Sequence, residues 1–184
     1  NKINNKTINI DLRSKNAVKS KLPKKIDLII HLAANARVNN LVLNPTLAKE
    51  NIDLSFNILE YARVNKIKNI IFSSSREVYG NTGNIKHREI DHYVHYCESP
   101  YTASKIAGEA LVHSYKLCYD INYLIFRFSN VYGRYDNSDR VIPNFIKLSK
   151  NNKDLTIYGK DKLLDFTYID DVVNGIISGI KSWK

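Results

Sequence analysis

The chain has 184 residues, 43% of them hydrophobic and 25% charged, which is enough for an ordinary globular core. No apolar run approaches the roughly 18 residues of a membrane span, and no signal-peptide pattern is present. Two cysteines, Cys97 and Cys118, are too few for a disulfide framework and read as free thiols of a reducing, cytoplasmic setting. The net charge of +10 is spread over scattered lysines, with one denser run, KSKLPKK. Neither zinc-finger spacing nor an RNA-recognition aromatic motif accompanies them. A nucleic-acid or membrane partner is therefore not expected, and the basic charge instead helps attract a phosphorylated small molecule.

Short β-rich runs alternate with longer helical patterns. Thr7–Ile10 reads as a strand, and SKNAVKSKL as a short helix with Ser14 as its N-cap. DLIIHLAA is a continuous apolar run, as in a parallel strand buried on both faces. In NPTLAKENIDLSFNILEYARVN, Leu47, Ile52, Phe56, Leu59 and Ala62 recur at helical spacing. KNIIFSSS is a second buried strand that ends in three serines, and a polar loop follows from Asn81 to Glu98. A helix is expected from about Pro100 to Tyr119. NYLIFRFSNVYG then reads as a strand running into a turn, RVIPNFIKLSK as a helix, LTIY and DFTYI as strands. DDVVNGIISGI is a helix with acidic residues at its N-terminus, where the dipole favours them. Alternating strands and helices imply a parallel sheet, and ligands of such sheets bind beyond the carboxyl ends of the strands. Those ends are HLAANAR, FSSSREVYG and FSNVYGR.

Within SPYTASKIAGEA, Tyr101 and Lys105 stand four residues apart and face the same way on a helix. A free phenol titrates near pH 10, but a neighbouring ammonium favours the phenolate, so the pair can serve as a tuned general base. The spacing alone arises by chance in many helices. Ser73, Ser74 and Ser75 change its meaning, because they end a buried strand 26 residues before Tyr101 and bring a hydroxyl to the same region.

With HLAA, FSSSREVYG, SPYTASKIAGE, FRFSNVYG, RVIPNFI and DFTYIDDVV in this order, the sequence resembles the extended short-chain dehydrogenase/reductase family, specifically its NAD-dependent nucleotide-sugar epimerases and dehydratases. The resemblance implies a three-layer α/β Rossmann-like fold: residues 1–135 a partial NAD-binding domain, 136–184 the start of a substrate-binding region interleaved with the last Rossmann elements. The dinucleotide fingerprint, a strand, a Gly-rich turn and a helix, is not among the seven glycines present. The chain also lacks Met and stops in a helical pattern. It is therefore expected to be a truncated piece extended at both ends in the full protein, and by itself a poor NAD binder with little or no activity.

Site roles follow from the same resemblance. Asp11 and Leu12 fall where the family holds the adenine end of NAD. Leu32, Ala33 and Ala34 line the pyrophosphate and ribose path, Asn51 faces the active-site loop, Ser73 and Ser74 border the nicotinamide, and Phe128 touches that region. Ser75 is the catalytic Ser/Thr, Tyr101 the base, and Lys105 the ribose ligand that lowers its pKa. Asn130, Val141 and Tyr158 match positions that meet the nucleotide sugar, with Ser75 also touching substrate. The implied partner subunit is a second copy, joined through a four-helix bundle of the helices at about Pro45–Val64 and Pro100–Tyr119.

Arg76–Glu77 is the branch point. Dehydratases of the family usually carry Asp-Glu here, and decarboxylases often Ser-Glu. Glu77 is an acid–base candidate, or else the partner of Arg76 or a surface lysine in a salt bridge. The missing Asp favours a UDP-glucose 4-epimerase-like activity. The alternatives are a 4,6-dehydratase or a UDP-glucuronate decarboxylase-like enzyme using Glu77. A non-catalytic NAD- or nucleic-acid-binding relative is opposed by Ser75, Tyr101 and Lys105. Leu164 stands where the family often has an Arg for the substrate diphosphate, leaving Lys160, Lys162, Arg134 or Arg140 to substitute. His92, His95 and Cys97 lie close in sequence but lack a fourth ligand, so no metal is expected. His31 reads as structural, and Arg127 as a local hydrogen-bond donor at a strand end.

Overall fold

The computed structural model describes residues 6–83, 86–136, 139–159, 161 and 163–183. They fall into two compact units, Asn1–Arg127 and Phe128–Lys184.

The first unit starts with α1 (Lys15–Lys21), capped by Ser14, whose hydroxyl accepts from the Ala17 N–H at 3.3 Å. β1 (Ile29–His31) is followed by α2 (Val38–Leu43) and α3 (Thr46–Val64). β2 (Asn69–Ser75) pairs with β1 in parallel, placing Ile29, Ile30 and His31 beside Ile70, Ile71 and Phe72. After a 3-10 turn at Arg76–Tyr79 and another at Val94–Tyr96 comes α4 (Pro100–Tyr119). Ser99 caps it by accepting from the Thr102 N–H at 3.1 Å, with Pro100 in the first turn, where no N–H is missed. Asp120, left-handed at φ 55°, ends it and turns the chain into β3 (Asn122–Phe128). The sheet order is β1-β2-β3.

The core forms where the apolar faces of α3 and α4 meet this sheet. Ile58, Leu59 and Ala62 of α3, Ile70 and Phe72 of β2, and Val112 and Tyr115 of α4 are buried together with Val18 and Ile121. Gly108 lets α4 close onto the strand: a Cβ there would stand 2.3 Å from the Phe72 ring. A smaller cluster joins Leu41 of α2, Ala48 of α3 and Tyr101 of α4.

In the second unit β4 (Asn130–Tyr132) pairs in parallel with β5 (Phe166–Tyr168), with Asn130 beside Phe166 and Tyr132 beside Tyr168. α5 (Val141–Lys150) lies between them in sequence, and α6 (Ile169–Ser182) follows with Asp170 and Asp171 in its first turn.

The architecture is the α/β alternation expected, but α2 is an added element, and β1, expected to be buried on both faces, leaves Ile30 exposed. Thr7–Ile10 and Leu155–Tyr158, read as strands, join no ladder. Both have β-forming side chains, yet a strand exists only where a neighbour takes its backbone groups, and neither segment has one among the described residues. Among these residues no helix is long and apolar enough to cross a membrane.

Candidate active site

The site is built where β2 ends against the N-terminal half of α4. Lys105 is only 6% exposed and Tyr101 7%. The Lys105 ammonium donates to the Ser73 carbonyl at 2.7 Å. It lies 5.8 Å from the centre of the Tyr101 ring and 5.5 Å from that of Phe72. Burial pulls the Lys105 pKa down to about 8, while the carboxylate of Glu109 acts in the opposite direction. Lys105 thus brings a charge to the strand end with one of its three hydrogens fixed by a backbone carbonyl.

The three serines have three different roles. Ser73 contributes its carbonyl to Lys105. Ser74 is buried, and its hydroxyl points inward, donating to Glu109 Oε1 at 2.5 Å. Ser75 ends the strand and caps the following 3-10 turn, its Oγ accepting from the Glu77 N–H at 3.2 Å. Glu77 is half-buried and paired with the Arg76 guanidinium at 3.1 Å, the salt bridge that its sequence neighbour made available.

Asn51, on α3, acts as a clamp. Its Oδ1 accepts from the Asn35 N–H at 2.7 Å, and its Nδ2 donates to the Asn35 carbonyl at 3.0 Å and to Ser104 Oγ at 3.2 Å. Ser104 in turn donates to the Tyr101 carbonyl at 2.7 Å. The loop after β1 is thereby tied to α3 and to the first turn of α4. Both polar atoms of the Asn51 amide are thus engaged within the protein.

Leu32 and Ala33, just past β1, are exposed, and Ala34 is half-buried. His31, the last residue of β1, is buried and stacked on Phe72 at 5.9 Å. Burial first, and the Lys105 charge second, hold its pKa down at about 4. Asp11 is exposed and grips Arg13, which also reaches Glu50 at 2.8 Å. Leu12 packs against the core, and its carbonyl accepts from the Asn57 amide at 2.9 Å.

The remaining candidates belong to the second unit. Phe128 opens it at the end of β3. Asn130 starts β4 and donates through Nδ2 to the Asp165 carbonyl at 3.0 Å. Val141 is the first residue of α5, and Tyr158 is 84% exposed. Arg134 and Arg140 line a cleft of about 370 Å³ within this unit, with Tyr132, Tyr135 and Asp136. Lys160 and Lys162 lie outside the described residues.

Arg127 is not the local donor expected. It is the penultimate residue of β3, and its guanidinium makes a two-pronged contact with Glu109, at 2.9 and 2.7 Å. It also reaches the Tyr79 hydroxyl at 3.1 Å and the Glu89 carbonyl at 2.6 Å. Glu109 and Arg127 had a visible signal: a carboxylate four residues past Lys105 on a buried helix face, and a cation inside an apolar strand.

A family model described as the NAD dependent epimerase/dehydratase family matches residues 1–182. A putative UDP-glucose 4-epimerase of Methanocaldococcus jannaschii is 35% identical over 192 residues, covering 100% of this chain and 62% of that protein. A dTDP-D-glucose 4,6-dehydratase of Dictyostelium discoideum is 35% identical over 162 residues, covering 82% and 37%. Among solved structures, the Thermus thermophilus UDP-glucose 4-epimerase in complex with NAD superimposes with a TM-score of 0.84. It is 27% identical, and the match covers 95% of this chain and 60% of that one. The chain spans about half the length of the curated relatives it matches.

Proposed function

Because the chain belongs to the NAD dependent epimerase/dehydratase family, we propose that it is part of a nucleotide-sugar 4-epimerase in which Tyr101 is the base and Lys105 and Ser75 its partners. The observation that carries this reading is Lys105: a buried ammonium anchored to the Ser73 carbonyl near the end of β2 and set beside the Tyr101 ring.

The end of β1 fits the family's dinucleotide. Leu32 and Ala33 present small or apolar exposed surface directly beyond the strand, and Lys105 keeps hydrogens for a ribose hydroxyl. In this reading Lys105 holds the ribose and the backbone of Ser73 and Ser74 borders the nicotinamide. Leu32, Ala33 and Ala34 flank the pyrophosphate, and Asp11 and Leu12 meet the adenine. Asn51 shapes the Asn35 loop beneath it, and Phe128 packs near the nicotinamide. When bound, NAD supplies a hydride acceptor that also gives the hydride back.

The residues of the chain do the rest. The Lys105 charge favours the phenolate of Tyr101, which takes the proton from the sugar's C4 hydroxyl as the C4 hydride leaves. Ser75 donates to the resulting C4 oxygen. Tyr101 returns the proton when hydride comes back to the other face, inverting C4. Asn130, Val141 and Tyr158 are assigned to the nucleotide sugar. The protein is read as a cytoplasmic homodimer built on α3 and α4, in keeping with free Cys97 and Cys118 and with the exposed Phe56, Val64 and Leu117 on those helices.

A second reading, a dehydratase or decarboxylase, would use Glu77. Its pairing with Arg76 at 3.1 Å keeps that carboxylate engaged, which favours the epimerase. The test is incubation of the full-length protein with NAD and UDP-, dTDP-, GDP- and CDP-sugars, with products read by chromatography and mass. An isomer of unchanged mass supports the epimerase. A product lighter by water or carbon dioxide assigns Glu77 to the chemistry instead, and no product from any sugar overturns the catalytic reading.

A further inference from the structure

The face of α4 that carries Tyr101 and Lys105 continues to Glu109, one more four-residue step along the helix. The chemistry above gives Glu109 no part, yet it is a carboxylate only 8% exposed. Its oxygens are filled by three donors, Ser74 Oγ, Arg127 Nε and Arg127 Nη2, at 2.5, 2.9 and 2.7 Å. The arginine side chain is itself 13% exposed. Its Nη1 reaches past Glu109 to the Tyr79 hydroxyl and the Glu89 carbonyl, and its guanidinium carbon lies 5.0 Å from the centre of the Tyr79 ring.

A buried ion pair is weak evidence for stability, since desolvation offsets much of the attraction. A well-packed apolar pair would fill the same space. What it would not supply is direction: the planar fork fixes angle as well as distance. The contacts fall on both flanks of Ser75. On one side, Lys105 and Glu109 of the same helix grip consecutive residues, Ser73 by its carbonyl and Ser74 by its hydroxyl. On the other, Arg127 holds Tyr79, the last residue of the turn that Ser75 caps.

We propose that Glu109 and Arg127 are positioning residues for the reaction: a buried pair that locks the end of β2 to α4 and sets Ser75 in register with Tyr101 and Lys105. This rests on the catalytic reading given above. The pair also has an electrostatic effect that can be read without turnover. The groups bearing on Lys105 are Tyr101 and Glu109 from α4, His31 from β1 and the Ser73 carbonyl from β2. His31 is neutral at pH 7, and the Glu109 carboxylate opposes the lowering of the Lys105 pKa by burial.

The test uses the full-length protein and two variants, Arg127→Lys, which keeps the charge and loses the fork, and Glu109→Gln, which keeps the shape and loses the charge. Folding is checked by circular dichroism and thermal melting. Kinetics are measured with the active sugar, and Lys105 is titrated by 13C-lysine NMR, its signal assigned with Lys105→Arg. Folded Arg127→Lys is expected to lose about tenfold or more in kcat, with KM within about threefold. Glu109→Gln is expected to lower the Lys105 midpoint by about 0.5 in pH or more. Folded variants with unchanged kcat and an unmoved Lys105 midpoint overturn the proposal. If Arg127→Lys does not fold, Glu109→Gln decides by the same criteria. If the wild-type protein turns over no sugar, the catalytic reading fails separately, and an unmoved Lys105 midpoint in Glu109→Gln still overturns the pairing of charges.

Discussion

Gly108→Ala sets two effects of known size against each other. Alanine is the better helix former by about 0.8–1.0 kcal/mol in a helix interior, which favours the variant. The new Cβ, however, would stand 2.3 Å from Phe72 Cζ and 3.1 Å from both Cε atoms. Carbon atoms in contact rest about 3.5–4.0 Å apart, so ring and helix must separate by about 1 Å or more. Phe72 has nowhere to go: it is 2% exposed, stacked on His31 and in the cluster of Ile58, Leu59 and Val112. Overpacking of this kind costs about 1–3 kcal/mol, and a ring enclosed on all sides belongs at the upper end. The net expectation is a loss of about 1–2 kcal/mol. Urea unfolding of the two proteins reads it as a lower midpoint at unchanged slope. A variant as stable as the wild type, or more stable, would show that α4 does not press on β2 as described. Because Lys105 sits over the same ring, the variant should also disturb the Lys105 titration.

Tyr101→Phe removes the proposed base and should lower kcat about 10²- to 10⁴-fold, measured with whichever sugar the panel identifies. Asn51→Ala strands the Asn35 N–H and carbonyl and should cost about 2–3 kcal/mol in urea unfolding; a change near zero would mean that water replaces the clamp. His31 is held neutral, its pKa near 4 in the fold against an ordinary 6.5. The unfolded chain therefore takes up the proton first, and stability present above pH 6.5 is lost as the pH falls toward 4. His31→Gln should flatten that acid limb, and an identical limb in both proteins would refute the assignment. Lys105 follows the same sign in a higher window: its folded pKa of about 8 lies below the usual 10.5. Its burial cost is full below pH 8 and is relieved as the pH rises toward 10.5, so Lys105→Met should abolish turnover while flattening the rise in stability over that window.

The parts of the site that could be read in the sequence are those made by local rules. Ser99-Pro100 marks a helix start, Tyr101 and Lys105 share a face by spacing alone, and an apolar run ending in serines marks the strand end that meets them. Ser14 announced α1 in the same way. What stayed hidden depends on partners distant in sequence. Thr7–Ile10 and Leu155–Tyr158 have strand-like residues, but pairing is a property of two segments. α2 is only six residues long, too short for a period to show, and exists because Leu41 is buried against Tyr101 and Ala48. Ser74 and Ser75 look interchangeable as letters. The structure turns one hydroxyl inward to Glu109 and sets the other at the cap of a turn, a difference that the pleat of β2 decides. Arg127 and Glu109 lie 18 residues apart, and nothing short of the β2–β3 pairing brings them together.

The cap at Ser75 gives that hydroxyl a polarity. A hydroxyl has one hydrogen to give and lone pairs to receive, and here the Glu77 N–H already occupies a receiving position. What remains on offer is the hydrogen and one lone pair, so the free capacity leans toward donation. The end of β2 is thus wired as a giver, best matched to an oxygen rich in electrons and without a hydrogen of its own. A ketone or alkoxide meets that condition and an alcohol meets it less well. The backbone of the next turn, by taking one lone pair of this hydroxyl, tilts it toward donation, which in the proposed reaction suits the C4 ketone or alkoxide better than the alcohol.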